Sequence, residues 1–300
     1  MPNKSKGIVI LSLFNGMSTG HTALDNIGIK VDKYYSSEIK PAAIKLTQHH
    51  YPDTIQLGDV TKWKEWDIDW KSVDMVLSGS PCQDLSAVGK RKGLDGERSG
   101  LFFVFVDIVN HIKELNPNVL FLQENVASAP KKDVGIMSRA LGVYPIKINS
   151  KLLTAQSRGR YYWTNIKTTK DLLGDMTVNI PQPKDKGILL KDILTSGKTD
   201  RDKHTCLMER YIAANTNMND EYFNGFQEYI VKRPSGMVTI ITDNNEYRLV
   251  NKVEMCRLQG FPDDWCDILS YREAGSLLGD GWTLPIIEHI FSYIGDNYAE

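Results

Sequence analysis

Residues 7–20 read Gly7-Ile8-Val9-Ile10-Leu11-Ser12-Leu13-Phe14-Asn15-Gly16-Met17-Ser18-Thr19-Gly20, and this stretch decides the fold. From Ile8 to Phe14 the run is almost wholly apolar and ends in Asn15-Gly16, as expected of a strand buried on both faces in a parallel sheet. Residues 19–27 then follow helical spacing and stop at Gly28. The same rhythm repeats outward. Strands are expected over 31–37, 73–77 and 119–122, and helices over 41–50, 101–115 and 132–141. Strand and helix alternating at this pace imply an α/β fold, a doubly wound, mostly parallel sheet with right-handed crossovers.

After about residue 166 the rhythm fails. Residues 167–250 are rich in Thr, Asn, Asp and Lys, with only short apolar runs, and helical patterning returns at 253 and at 285–294. The expected organisation is a first domain over 1–166, a smaller second domain over 167–250, and a return to the first over 251–300.

Composition narrows the class. The chain has 300 residues, 41% hydrophobic and 24% charged, enough for a sizeable core. No apolar run approaches the roughly 18 residues needed to span a bilayer. Lys4 and Lys6 before the first apolar run imitate a signal peptide, but no small-residue cleavage site follows, so the run reads as a first strand. Cys82, Cys206, Cys256 and Cys266 form no CxxC pair and have no histidines at zinc spacing. A reduced, cytoplasmic setting and no metal are therefore expected. The net charge is −1, yet seven basic and no acidic residues fall between 134 and 170. Such segregation can build a positive face for phosphate on a neutral protein.

In doubly wound sheets ligands bind at the carboxyl ends of the strands. The turn at 14–20 lets a ligand approach the backbone and opens a helix N-terminus towards it, but it is not GxGxxG, so a pyrophosphate cradle is not indicated. Glu38 ends the second strand, placed to grip ribose hydroxyls, and Asp59 is placed to accept from an adenine amino group. Together they suggest an adenosine-containing ligand without a pyrophosphate. Ser80-Pro81-Cys82-Gln83 offers a candidate nucleophile, with Lys90, Arg91 and Lys92 nearby to favour its thiolate. Glu124-Asn125-Val126 brings a carboxyl to the same edge, where it would act as an acid. Gln156, Arg158 and Arg160 alternate ahead of Tyr161-Tyr162-Trp163, which would put three donors on one face; the nearby sequence offers no acidic partner for them.

In this order, Phe14-Asn15-Gly16 with Gly20, Glu38, Asp59, Pro81-Cys82-Gln83, Glu124-Asn125-Val126 and Gln156-x-Arg158-x-Arg160 resemble the cytosine carbon-5 DNA methyltransferase family. Residues 255–262 (MCRLQGFP) and 279–285 (GDGWTLP) resemble its later motifs. The flavour is that of the vertebrate de novo enzymes, through Ser80-Pro81-Cys82-x-Asp84-Leu85-Ser86 and Trp282, whereas the small size looks bacterial or viral. Asp280-Gly281-Trp282 departs from the bacterial Asn-Ser-Val pattern, and the resemblance does not extend to a recognition region within residues 167–250.

The resemblance implies a Rossmann-like methyltransferase sheet with a target-recognition domain, methyl transfer from S-adenosylmethionine to cytosine in double-stranded DNA, and often a restriction partner. It assigns Cys82 as nucleophile, Glu124 as the group acting on ring nitrogen 3, Arg160 on the ring carbonyl and Arg158 as a brace. It assigns Phe14 and Ile39 to the adenine, Glu38 to the ribose, Asp59 to the amino group and Trp282 to the methionine portion. Gly16, Ser18, Thr19, Val60, Pro81 and Leu101 complete the cofactor set. Residues 83–98 read as a closing loop on DNA, with Gln83, Ser86, Arg91 and Arg98 as contacts and Val88 filling the gap left by a flipped base. A transfer-RNA methyltransferase and an inactive regulatory homologue are the alternatives; the intact Pro81-Cys82-Gln83 and Glu124-Asn125-Val126 argue against the second.

Overall fold

The structure is a computed structural model that describes residues 7–81, 100–207, 240–241 and 247–295. The described residues pack into two compact units. One takes in those of Met1–Ile148, Gly159–Gln182 and Ile287–Glu300, the other those of Asn149–Arg158 and Pro183–Ile286. These limits follow packing, whereas 166 and 250 followed composition.

The first unit is built on a seven-stranded sheet of β1 (Ile8–Leu13), β2 (Val31–Ser37), β3 (Ile55–Gln56), β4 (Met75–Ser78), β5 (Leu120–Val126), β6 (Ile146–Asn149) and β7 (Gly159–Thr164). Its order is β3-β2-β1-β4-β5-β7-β6. β1, β2, β3, β4 and β5 pair in parallel, and β7 runs antiparallel to β5. The strand order reverses between β1 and β4, the switch point at which open α/β sheets bind ligands.

Each element has a local cause. All six residues of β1 are buried, because helices cover both faces of a central parallel strand. Helix α1 (Thr19–Asn26) sits close on the sheet at Gly20, where a Cβ would come within 2.4 Å of Leu77 Cδ1. Pro41 starts α2 (Pro41–His50), its missing N–H falling where the first turn needs none. In α3 (Gly100–Leu115), Phe102, Phe105, Val106, Val109 and Ile112 recur at three- and four-residue intervals and form one buried stripe. Gly142, at φ 71°, closes α4 (Lys131–Leu141) in the left-handed conformation. Phe105, Phe121, Trp163 and Met137 meet in the core against this sheet. Strands β8 (Thr168–Lys170) and β9 (Met176–Val178) add a hairpin.

In the second unit β10 (Ile240–Ile241) pairs antiparallel with β11 (Tyr247–Arg248). Helices α5 (Lys252–Gln259) and α6 (Tyr271–Asp280) each begin with a reciprocal capping box, Asn251 with Glu254 and Ser270 with Glu273. The last helix is α7 (Leu284–Phe291). No described helix is long and apolar enough to cross a membrane.

Candidate active site

At the carboxyl edge of the sheet the loop after β1 takes an unusual path. Phe14, Gly16 and Ser18 all have positive φ (55°, 56° and 58°), and two of the three are not glycine. Left-handed backbone costs a non-glycine residue about 1–2 kcal/mol, so the surroundings must impose it. Part of that constraint is Glu38 at the end of β2. Its Oε2 accepts from Gly16 N at 2.8 Å, and its Oε1 accepts from the backbone N–H groups of Ile39 and Lys40 at 2.8 and 2.9 Å. The carboxylate is thus fixed against the loop that it faces.

The other sequence-assigned cofactor residues of the first unit are distributed as follows. Phe14 is half-buried against the core, and Ile39 presents its side chain to solvent, 70% exposed. Asp59 is exposed after β3. Thr61 donates to Asp59 Oδ1 through its N–H (2.9 Å) and its hydroxyl (2.8 Å), and these bonds, helped by Lys62, hold the carboxyl below the usual value. Ser18, Thr19 and Val60 are buried, and the Ser18 backbone is engaged within the loop, its N–H donating to Asn15 O and its carbonyl accepting from Thr22 N. Pro81 and Leu101 are half-buried. Gln123 Nε2 donates to Ser80 Oγ at 2.9 Å, tying the end of β5 to the loop that leads into Cys82.

The pairing of β5 with β7 places Val126 opposite Arg160 and Glu124 opposite Tyr162. Arg160 is therefore the diagonal neighbour of Glu124 on one face, and its Nε reaches Glu124 Oε1 at 2.8 Å. Glu124 is only 7% exposed. An acidic partner for Arg160, missing from the nearby sequence, arrives through the fold.

Gln156 and Arg158 precede β7, so the strand alternation expected of them does not hold. Both belong to the second unit. Gln156 Nε2 donates to Leu258 O, and Leu207 N donates to Gln156 Oε1. Arg158, 3% exposed, donates through Nη1 to Gly279 O (2.9 Å) and Cys206 Sγ (3.0 Å), and through Nη2 to Gly281 O (2.8 Å). Trp282 is half-buried between two anchored neighbours, since Thr283 Oγ1 donates to Gln259 Oε1 at 2.7 Å.

Cys82, Gln83, Ser86, Val88, Arg91 and Arg98 lie outside the described residues. Two groups of residues escaped sequence reasoning. One is Tyr34 with Thr47, which bond Asn15 and the already assigned Ser18 beneath the first loop; the other is Arg248 with Glu254. Tyr34 and Thr47 stand 19 and 32 positions from Asn15, and Arg248 reaches Glu254 across six, spacings that leave no sequence signature. Among the described residues no three His, Cys, Asp or Glu side chains gather as a metal site.

Comparison with known proteins places this arrangement. The type II methyltransferase M.NlaIV of Neisseria lactamica is 31% identical over 211 residues, 63% of this chain and 47% of that protein. The type II methyltransferase M1.ScrFI of Lactococcus lactis subsp. cremoris is 29% identical over 286 residues, 87% of this chain and 71% of that protein. The chain thus spans about half the length of M.NlaIV. The solved structure of the Entamoeba histolytica methyltransferase EhMeth superposes with a TM-score of 0.64 at 16% identity, covering 98% of this chain and all of that one. That likeness shows the Rossmann-like methyltransferase fold. Residues 8–296 match the family described as C-5 cytosine-specific DNA methylase, nearly the whole sequence, and the chain belongs to that family.

Proposed function

We propose that this chain methylates carbon 5 of cytosine in double-stranded DNA, using S-adenosylmethionine. The observation that carries the reading is the Glu124–Arg160 pair at the carboxyl end of β5, in a chain of this family. An acid and a guanidinium on one face suit a pyrimidine, whose ring nitrogen 3 and adjacent carbonyl need a proton donor and a positive charge side by side.

The first loop fits the cofactor. Among the described residues, chain neighbours aside, a Cβ at Gly16 would meet no atom closer than 3.9 Å, so its left-handed backbone leaves room there for a ligand. Glu38, Asp59 and the exposed face of Ile39 are the groups that would hold ribose, amino group and adenine ring, with Phe14 beside them. Trp282 would take the methionine portion. When bound, S-adenosylmethionine supplies an electrophilic methyl carbon on a sulfonium.

The rest falls to the chain's own residues. The Cys82 thiolate adds to carbon 6 of the cytosine, and carbon 5 becomes nucleophilic. Glu124 protonates or hydrogen-bonds nitrogen 3, and Arg160 holds the carbonyl, so negative charge does not build up in the ring. Arg158 braces the residues around Gly279 and Gly281. Once carbon 5 has taken the methyl group, a base acting through water removes the carbon-5 proton and the thiolate leaves, which restores the aromatic ring. The base must first leave the duplex, at a cost of a few kcal/mol. Residues 83–98 are assigned to that closure, and 167–250 to choosing the site. The reading implies work in the cytoplasm of a bacterial or phage-infected cell.

Expression in a host without cytosine methylation, followed by bisulfite sequencing of its DNA and transfer RNA, tests the proposal. Methylated cytosines at a recurrent DNA sequence are expected. Methylation confined to transfer RNA, or none, would overturn it.

A further inference from the structure

Beneath the loop after β1 lies a set of buried polar side chains, whose Tyr34 also meets the Ser12 side chain and the His21 backbone. Asn15 Nδ2 donates to Ser18 Oγ at 2.8 Å and to Thr47 Oγ1 at 3.2 Å, and the two hydroxyls lie 2.8 Å apart. Asn15 Oδ1 accepts from Tyr34 OH at 3.1 Å. Asn15, Ser18, Tyr34 and Thr47 are all buried. Tyr34 is itself held in a column of rings. It stacks on His21 (4.4 Å between centroids, 7° between planes), which stacks on Tyr51 (3.8 Å, 15°).

We propose that Tyr34 is a positioning residue for the cofactor loop: by donating to Asn15 it holds Phe14, Gly16 and Ser18 in the left-handed turns that receive S-adenosylmethionine. The proposal rests on the cofactor reading above. Its physical basis is that two non-glycine residues at positive φ relax unless something over-determines them. Strand β2 grips the loop twice. From its end Glu38 takes the N–H of Gly16, and from within the core Tyr34 fixes Asn15, whose amide in turn fixes Ser18. The residue that positions the loop lies within β2, and the residue assigned to the ribose directly follows that strand.

Tyr34→Phe keeps the ring column and deletes only the hydroxyl, leaving Asn15 Oδ1 buried without its donor. Calorimetric titration of the full chain with S-adenosylhomocysteine, the demethylated product, reads the effect. The dissociation constant should rise about tenfold. KM for S-adenosylmethionine should rise in parallel, with kcat at saturation within about twofold. Thr164→Val serves as the control, since it also removes a buried hydroxyl, the one donating to Phe121 O, at the far end of β7. Its melting temperature should fall comparably while its affinity stays that of the unaltered chain. Equal affinity of Tyr34→Phe and the unaltered chain overturns the proposal and leaves the cofactor reading standing. No binding by the unaltered chain overturns both. Should Tyr34→Phe not fold, Thr47→Val removes a different bond of the same cluster and must show the same tenfold loss, or the proposal falls.

Discussion

Arg160 Nε and Glu124 Oε1 lie 2.8 Å apart across two antiparallel strands, a contact set by the register that faces Arg160 with Val126. Both side chains are largely withdrawn from water, and the pair sits at the edge where a parallel sheet gathers its ligands. Glu124→Gln leaves an acceptor for Arg160 but removes the acid. Turnover should fall about 10²–10⁴-fold, the usual range for loss of a general acid, while the chain stays folded. Single-turnover methylation with labelled donor checks this, and near-normal turnover would contradict the role.

Gly16 separates backbone strain from ligand contact. An alanine there is forced into φ +56°, for about 1–2 kcal/mol, but among the described residues, chain neighbours aside, its methyl group meets no atom closer than 3.9 Å. Gly16→Ala should therefore lower the melting temperature only a few degrees and weaken S-adenosylhomocysteine binding more than tenfold. A loss of stability with unchanged affinity would show that no ligand occupies that space.

Much of this was legible in the chain itself. The apolar run at 8–14, the helix starts at Thr19 and Pro41, and the strand over 31–37 are local signals, and the structure has them in place. The two-residue strand β3 and the strand β6 carry too few residues to show a period. Arg160 and Glu124 stand far apart in sequence, and only the register of β7 on β5 joins them. The acceptors of Arg158 are mainly the backbone carbonyls of Gly279 and Gly281, which every residue possesses. Nor do Phe14 and Ser18 announce positive φ, since neither is glycine.

Stability should depend on pH through the half-buried His21 and the buried His204. Burial lowers His21, between its tyrosines, to about 4, and burial lowers His204 to about 4 against the opposing pull of its bond to Thr205 O. Each binds a proton less readily folded than unfolded. Their contribution is complete above the ordinary value of 6.5 and is lost as pH falls from 6.5 toward about 4. Between about pH 7.5 and about pH 5 each should remove about 2 kcal/mol. Urea titrations across that window check the slope; a flat profile would contradict it.

In the second unit, Glu254 is fully buried yet accepts from Thr195 N and Oγ1, from Asn251 N and from both Nη atoms of Arg248. Burial works to raise its pKa, but these bonds and the Arg248 charge together hold it below the usual carboxylate value. Glu254→Ala would leave the Arg248 charge without its carboxylate and remove the half of the α5 capping box that Glu254 supplies, and should cost about 3–5 kcal/mol. A shift in the urea midpoint of that order is expected; a change under about 1 kcal/mol would mean that solvent replaces the pair.

The central claim is covalent attack by Cys82 on a cytosine drawn out of DNA, and a trap tests it most directly. Duplex DNA containing the methylated target sequence, with 5-fluorocytosine at the target base, cannot release the thiolate once carbon 5 carries both fluorine and a methyl group. Incubated with the protein and S-adenosylmethionine, it should yield a denaturant-stable adduct that peptide mapping assigns to Cys82 and that Cys82→Ser abolishes. Absence of any adduct, from protein that binds both DNA and S-adenosylmethionine, would contradict the account.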